Sequence, residues 1–493
     1  MIRFLCNEQE ITLDECRPEL SILEYLRTVL AHRGTKEGCA SGDCGACTVV
    51  VAEPDGELDG ELDGEGLRYT SLNSCITFVG TLHGKQLLTV EHLEQSGQLH
   101  PVQQAMVDLH GSQCGFCTPG FVMSMFALYK SMNKSIDTPT RADVERALAG
   151  NLCRCTGYRP IIDAALSLAG RGGADRFTPS AAATCARLRK IREDHPSGSL
   201  QQGERRFFLP STADELAALM QAHPEARLVA GGTDLALEVT QQLQQPPVLI
   251  HTGAVAELNE LVATEHSLLI GGAVSYTRLE PLLQQHFPAF ARLLDRLGSL
   301  QIRNQGTLAG NIANASPIGD TPPVLLALGA RLHIRCGNRC EVIEIDDFFT
   351  GYRKTALPER GFIEQIEIPL QPDRILKVYK VSKRLDDDIS AVCAAFSLNL
   401  QQGIVVDARL GFGGMAATPV RAFNAERALI GQAFTAEGVA AAQQALEQDF
   451  SPIDDVRATA AYRLNVARNL LSRAVLEQDP RFADQPLEVA RYA

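Results

Sequence analysis

Basic residues are in short supply. The 493-residue chain has 46 Lys and Arg against 59 Asp and Glu, a formal charge of −13. With no basic stripe to displace counterions from phosphates, nucleic acid and anionic membranes are not the expected partners. A small molecule or another protein is. Tryptophan is absent altogether. No apolar run is long enough to cross a bilayer, and the opening MIRFLCNEQEITLDE lacks an apolar core followed by a small-residue cleavage site. The expected location is therefore cytoplasmic. A G-x-G-x-x-G dinucleotide fingerprint is missing as well. What is present, 45% hydrophobic and 21% charged residues, is ordinary for a globular protein, and the length suits three or four domains.

Cysteine is plentiful, with 14 in all. In a reducing compartment these do not form a disulfide framework, which leaves metal ligation as the leading use. Eight fall into two sets before residue 156, whereas Cys6, Cys16, Cys185, Cys336, Cys340 and Cys393 are scattered and suit buried small hydrophobes. Cys336 and Cys340 flank a hairpin turn, where a metal is not expected.

Along the chain, residues 1–90 combine short β stretches (IRFLC, EITLDE, CTVVVAE, KQLLTVE) with one amphipathic helix carrying Leu20, Leu23, Leu26 and Leu30. A tandem ELDG in PDGELDGELDGEGLR reads as an acidic, solvated insertion. Residues 91–170 read as four short helices, with Pro101, Pro119 and Pro160 in first turns and Thr140 as an N-cap with Asp143 three residues on. Gly, Ser, Ala and charge dominate 171–203, which reads as a linker. Residues 204–375 alternate strand-like and helical pieces, and 376–493 form a smaller α+β domain of strands followed by two helices.

GTKEGCASGDCGACTVV sets Cys39, Cys44 and Cys47 as C-x4-C-x2-C, with Cys75 following in SLNSC. This is the plant-type spacing for a cluster of two irons and two sulfides. Gly38, Gly42 and Gly45 let the backbone curl and turn its N–H groups toward anionic sulfides. Four-thiolate zinc usually shows two C-x2-C knuckles instead. The second set, Cys114 and Cys117 in SQCGFCTPG with Cys153 and Cys155 in GNLCRCTGYRP, places four sulfurs at helix ends, where positive dipole ends favour an anionic cluster. Spacing alone also admits zinc here, although C-x-C is uncommon in zinc knuckles.

GxxCGxCTPGFVMSMFAL followed by GNLCRCTGYRPIIDA resembles the helical iron–sulfur domain of the xanthine oxidase family of molybdenum hydroxylases, and the segment before it is similar to that domain's ferredoxin-like companion. The resemblance implies two 2Fe-2S clusters, on Cys39, Cys44, Cys47 and Cys75 and on Cys114, Cys117, Cys153 and Cys155. Gln113 takes the family position that approaches molybdopterin; on the residues alone it is equally a helix-end hydrogen-bonder. The long Cys47 to Cys75 interval is the one departure.

ARLVAGGTDLALEV reads as strand, Gly-rich turn and helix, a place where backbone N–H groups can meet a phosphate. In GSLQIRNQGTLAGNIANASPIGDTPPVLLALGA, small polar residues including Ser316 are packed so densely that a loop wrapped on a polar ligand is expected. Together these resemble the FAD domain of the same family, of the vanillyl-alcohol oxidase (PCMH) type. The resemblance assigns FAD to Leu228, Val229, Ala230, Gly231, Gly232, Thr233, Asp234 and Leu235, to Thr307, Gly310, Asn311, Asn314 and Asp320, and to Ile363 and Lys380 near the ring system and its phosphate end. Gly319 stands where relatives can carry serine. Tyr352 would cover the flavin face where a nicotinamide docks. Asp387 and Asp388 would shape a nucleotide site or, more simply, cap a strand. FGGMAATPVRA fits the small C-terminal domain of the CO dehydrogenase flavoprotein type.

The implied fold is multidomain α+β: a β-grasp ferredoxin-like domain, a four-helix iron–sulfur domain, the FAD domain and the C-terminal domain. The implied activity is electron transfer from a molybdenum site, with its molybdopterin on a large partner subunit, through two clusters to FAD and then NAD during purine oxidation. No catalytic residue of the hydroxylation is expected on this chain. An aldehyde- or other heterocycle-oxidising relative using oxygen, and a zinc-binding scaffold, are the alternatives.

Overall fold

The computed structural model describes residues 1–55, 66–132, 138–170 and 175–482, so the ELDG insertion lies outside the described residues. These divide into two compact units.

The first unit comprises residues 1–260, 271–278 and 298–307. It opens with a five-stranded sheet in the order Gln9–Leu13, Ile2–Cys6, Gln86–Leu88, Thr48–Pro54, Leu67–Asn73. The β-branched run Val49, Val50, Val51 is buried on both faces of its strand. Strand Leu67–Asn73, not foreseen from sequence, pairs antiparallel with Thr48–Pro54 and sets Asn73 opposite Thr48, beside the first cysteine loop. Ser21 caps the short helix at Ile22, which continues as a π turn, Tyr25–Val29, and buries Leu23 and Leu26.

Four helices follow: Pro101–Asp108, Thr118–Met132, Arg141–Leu148 and Arg159–Leu166. Prolines occupy the first turns of the first and last, and Thr140 caps the third in a reciprocal box with Asp143. Within the stretch expected as a linker, the described residues 175–203 include a helix and a strand. Helix Ala181–Asp194 buries Cys185, Leu188 and Ile191 on one face, and strand Gly198–Gln202 pairs with Arg205–Leu209. Alanine-rich composition was compatible with both readings; the three-residue apolar spacing decides for the helix. Strands Arg205–Leu209, Val248–His251 and Arg227–Val229 then run parallel in a second sheet.

The second unit comprises residues 261–270, 279–297 and 308 onward. One sheet has the order Leu261–Ala263, Ser267–Gly271, Phe362–Pro369, Arg331–Cys336, Arg339–Glu344, with Cys336 and Arg339 closing the expected hairpin turn. Another, Arg374–Val381, Val392–Gln401, Ile404–Gly413, Val420–Arg421, packs Phe396 and Phe412 into a core shared with helices Phe423–Leu429, Ala440–Asp449 and Ala460–Leu476. No helix among the described residues is long and apolar enough to cross a membrane.

Candidate iron–sulfur and flavin sites

The loop from Gly38 to Thr48 turns on Gly42 (φ +82°) and Gly45 (φ +67°), conformations that exclude most side chains. Its carbonyls are drawn outward. Asn73 Nδ2 donates to Gly42 O at 2.8 Å, Asn151 Nδ2 to Gly45 O at 3.0 Å, and Gln241 Nε2 to Ala40 O at 2.9 Å. That leaves N–H groups facing inward: those of Ser41 and Cys44 both lie 3.4 Å from Cys39 Sγ. A Cβ on Gly38 would come within 2.8 Å of Cys44 Sγ, so a side chain there would push that thiol aside. Cys47 and Cys75 are buried with their sulfurs 3.3 Å apart. Hydrogen bonds from the Cys44 and Cys75 thiols hold Cys39 well below the usual thiol range.

In the second set, Cys153 Sγ accepts from Thr156 Oγ1 at 3.2 Å and from the N–H groups of Thr156 and Cys155 at 3.4 and 3.5 Å. Burial pushes the Cys153 thiol up, but the Thr156 and Cys155 donors outweigh it and bring it to about 7. Burial, then Cys153 itself, drives Cys117 up to about 12. The thiols pair as Cys117 with Cys153 and Cys114 with Cys155. Among the described residues no three His, Cys, Asp or Glu side chains converge on one ion. Sulfurs grouped in pairs, with N–H donors aimed at them, fit an anionic two-iron core, in which each iron takes two thiolates. Cys114, Cys155 and the neighbouring Gln113, Phe116, Leu152 and Tyr158 are exposed.

Sequence places the two cysteine sets far apart; the fold joins them. Leu152 N–H, next to Cys153, donates to Cys44 O at 3.0 Å. The two loops touch so closely that a Cβ on Gly45 would lie 2.2 Å from Gly150 O.

The Gly-rich turn has the expected form, strand Arg227–Val229 leading to helix Leu235–Thr240, with Gly232 at φ +72°. Val229 to Gly232 and Thr307 line one cavity of about 160 Å³, together with Ile76, Thr77 and His251. Behind the turn, His251 is buried: its Nδ1 accepts from Gly253 N–H at 3.1 Å while the ring also bonds to the Ala230 carbonyl. Burial, reinforced by the Lys85 cation, lowers it to about 3. A Cβ on Gly231 would meet Gln305 O at 2.0 Å.

The remaining expected flavin residues belong to the second unit. They do not lie on the expected wrapped loop: Gly310, Asn311 and Asn314 are on helix Leu308–Asn314, and Asp320 stands just before helix Thr321–Leu328 without a side-chain capping bond to it. Small polar residues were compatible with a loop, but Leu308 and Ile312 repeat at helical spacing and are buried. Asn311 Oδ1 accepts from Thr321 Oγ1 at 2.7 Å. Asp320 and Lys380 are both buried and paired, and Ser390 Oγ also donates to Asp320. The two opposite charges offset each other in the interior. Ile363 is buried in strand Phe362–Pro369. Tyr352 is exposed, and Asp388 accepts from the N–H groups of Arg384 and Ile389, the local capping role. Sequence reasoning missed Asn73, Asn151 and Gln241, whose partners are distant in the chain and carry no spacing signal, and His251, whose role depends on its burial.

Four family models match in chain order. A 2Fe-2S iron-sulfur cluster binding domain covers residues 4–80 and a [2Fe-2S] binding domain 89–166. An FAD binding domain in molybdopterin dehydrogenase covers 201–371, and a CO dehydrogenase flavoprotein C-terminal domain 377–478. Xanthine dehydrogenase of Emericella nidulans is 35% identical over 91% of this chain and 36% of its own length. The chain carries, in order, the iron–sulfur and FAD domains characteristic of the xanthine oxidase family. Xanthine dehydrogenase of Drosophila subobscura, another relative, is 34% identical over 87% of the chain and 35% of its own. The chain thus spans about a third of the length of the curated relatives it matches. Among solved structures, a carbon monoxide dehydrogenase from Hydrogenophaga pseudoflava aligns with a TM-score of 0.52 and 28% identity, over 54% of this chain and 94% of its own. Quinoline 2-oxidoreductase from Pseudomonas putida 86 aligns with a TM-score of 0.51 and 25% identity, over 55% and 94%.

Proposed function

We propose that the protein is the electron-transfer small subunit of a xanthine dehydrogenase. Hypoxanthine or xanthine is oxidised at a molybdenum–molybdopterin site on a separate large subunit, with which this chain forms a heterodimer or heterotetramer in the cytoplasm. Electrons then cross this chain to NAD+. Two-iron clusters pass electrons singly, and a flavin accepts them singly and delivers them as hydride.

The chain's own residues supply the scaffold for this relay. Cys39, Cys44, Cys47 and Cys75 hold one cluster; Cys114, Cys117, Cys153 and Cys155 hold the other. Inward N–H groups offset the negative charge on the sulfurs. In the first unit, Leu228 to Leu235 and Thr307 hold FAD. The exposed Cys114 and Cys155 leave the second set open to a partner's donor site, whereas in the first set Cys39 and Cys44 are half-buried and Cys47 and Cys75 buried.

The observation that carries the reading is the Leu152 to Cys44 hydrogen bond, which puts the two quartets one backbone contact apart in the unit that also holds the Gly-rich turn. Anaerobic mixing of NADH with the purified chain tests the acceptor: bleaching of the flavin band supports NAD, and an unbleached flavin removes it. A co-purifying large chain that contains molybdenum and turns over xanthine tests the rest.

A further inference from the structure

The interior of the first unit holds a polar knot centred on Gln301, whose side chain is fully buried (0% exposed). Gln301 lies on the short helix Leu300–Arg303, which Ser299 caps by accepting from Ile302 N–H at 3.2 Å. Its Nε2 is 3.3 Å from Thr48 Oγ1, 3.2 Å from Ser124 Oγ and 3.1 Å from Asn151 Oδ1. Each partner belongs to a different part of the cysteine scaffold. Thr48 follows Cys47, Ser124 lies on the helix that begins after Cys117, and Asn151 is two residues before Cys153.

The contacts continue inward. Ser124 Oγ donates to Asn151 Oδ1 at 2.7 Å, Thr48 Oγ1 donates to Gly45 O at 2.7 Å, and Asn151 Nδ2 reaches the same carbonyl. A chain of amides therefore runs from Gln301 through Asn151 to the turn between Cys44 and Cys47. Slack is absent: a Cβ on Gly150 would lie 2.2 Å from Gln301 Oε1. The same stretch is pinned elsewhere, with Asn304 Nδ2 donating to Ser71 O at 2.9 Å and Gln305 Nε2 to Thr77 Oγ1 at 2.6 Å. Gln305 O is also the atom that bars a side chain at Gly231 in the Gly-rich turn.

An apolar side chain of the same length would fill this space without leaving a buried acceptor unpaired, yet Gln301 Oε1 has no hydrogen-bond partner. Buried polar groups of this kind fix one arrangement among several that packing alone would tolerate. We propose that Gln301 is a positioning residue for electron transfer: it sets the separation and orientation of the two cluster-holding loops. This assignment rests on the electron-relay reading above.

The test uses Gln301→Met in the full chain together with its large subunit. Iron and flavin content report loading. The magnetic splitting between the two reduced clusters in EPR reports their separation and orientation, and stopped-flow reduction of the flavin through the clusters reports transfer. The expected result is wild-type loading, a changed splitting and flavin reduction slowed several-fold, with reduction by NADH unchanged. A fully loaded variant with wild-type splitting and rate overturns the assignment. If Gln301→Met does not fold, Ser124→Ala removes two contacts of the knot, to Gln301 and to Asn151; a smaller change of splitting in it supports the assignment and an unmoved splitting overturns it. A wild-type protein without two cluster signals would sink the electron-relay reading instead, which keeps the two failures apart.

Discussion

The backbone N–H of Leu152 donates to the carbonyl oxygen of Cys44 across 3.0 Å, tying the residue before Cys153 to a cysteine of the other set. Cys114 and Cys155 of the second set are exposed, whereas Cys39 and Cys44 of the first are half-buried and Cys47 and Cys75 buried; the proposed order of transfer is partner, second set, first set, flavin. Replacing Cys153 with serine is expected to remove one of two EPR signals and to slow flavin reduction by the partner's substrate, while reduction by NADH persists. Loss of both routes together would contradict that order.

At Gly231 the backbone of the Gly-rich turn meets Gln305 O too closely for any side chain. Gly231→Ala forces the turn to move at a cost of about 1–3 kcal/mol. FAD binding is expected to weaken roughly ten- to hundredfold at 1.4 kcal/mol per tenfold, with iron content unchanged. The flavin-to-iron ratio after gel filtration checks it.

His251 makes stability depend on pH. Burial, then Lys85, lowers its pKa from 6.5 to about 3, so between those values the unfolded chain binds the proton and the folded chain does not. Stability contributed by neutral His251 is therefore complete above 6.5 and declines as pH falls, by about 1.4 kcal/mol per unit for a fully buried group, levelling off below about 3. Protonation also removes the acceptor that Nδ1 offers Gly253 N–H. FAD release on acidification should follow, and His251→Gln should flatten the pH dependence of the melting temperature.

Asp175 carries a buried ion cluster in the helical region, accepting from Lys130 Nζ at 3.0 and 3.1 Å and facing His100 Nε2 at 3.3 Å. Burial opposes ionisation, but His100 and Lys130 hold its carboxyl well below the usual range. Asp175→Asn strands the Lys130 ammonium and is expected to cost about 3–5 kcal/mol. A lowered first thermal transition, with loss of the second cluster's signal before the flavin's, is the expected readout.

The helix starts at Pro101, Thr140 and Pro160 and the turn at Gly231–Gly232 were legible because each rests on neighbours within a few residues. What was not legible depends on distant partners. Gln301 meets residues about 150 to 250 positions away in the chain, and the pairing of Asp320 with Lys380 spans 60. The 171–203 stretch misled because its alanines favour helix while its glycines and serines suggest a linker. Residues 298–320 misled because small polar residues can line a helix as well as a loop.

The most direct measurement is metal and spin counting on the purified chain. Two two-iron clusters predict about four irons and two reduced-cluster spins per polypeptide, a red-brown colour that dithionite bleaches, and one flavin. A colourless protein holding zinc, or one with iron for a single cluster while all eight cysteines are intact, would contradict the account.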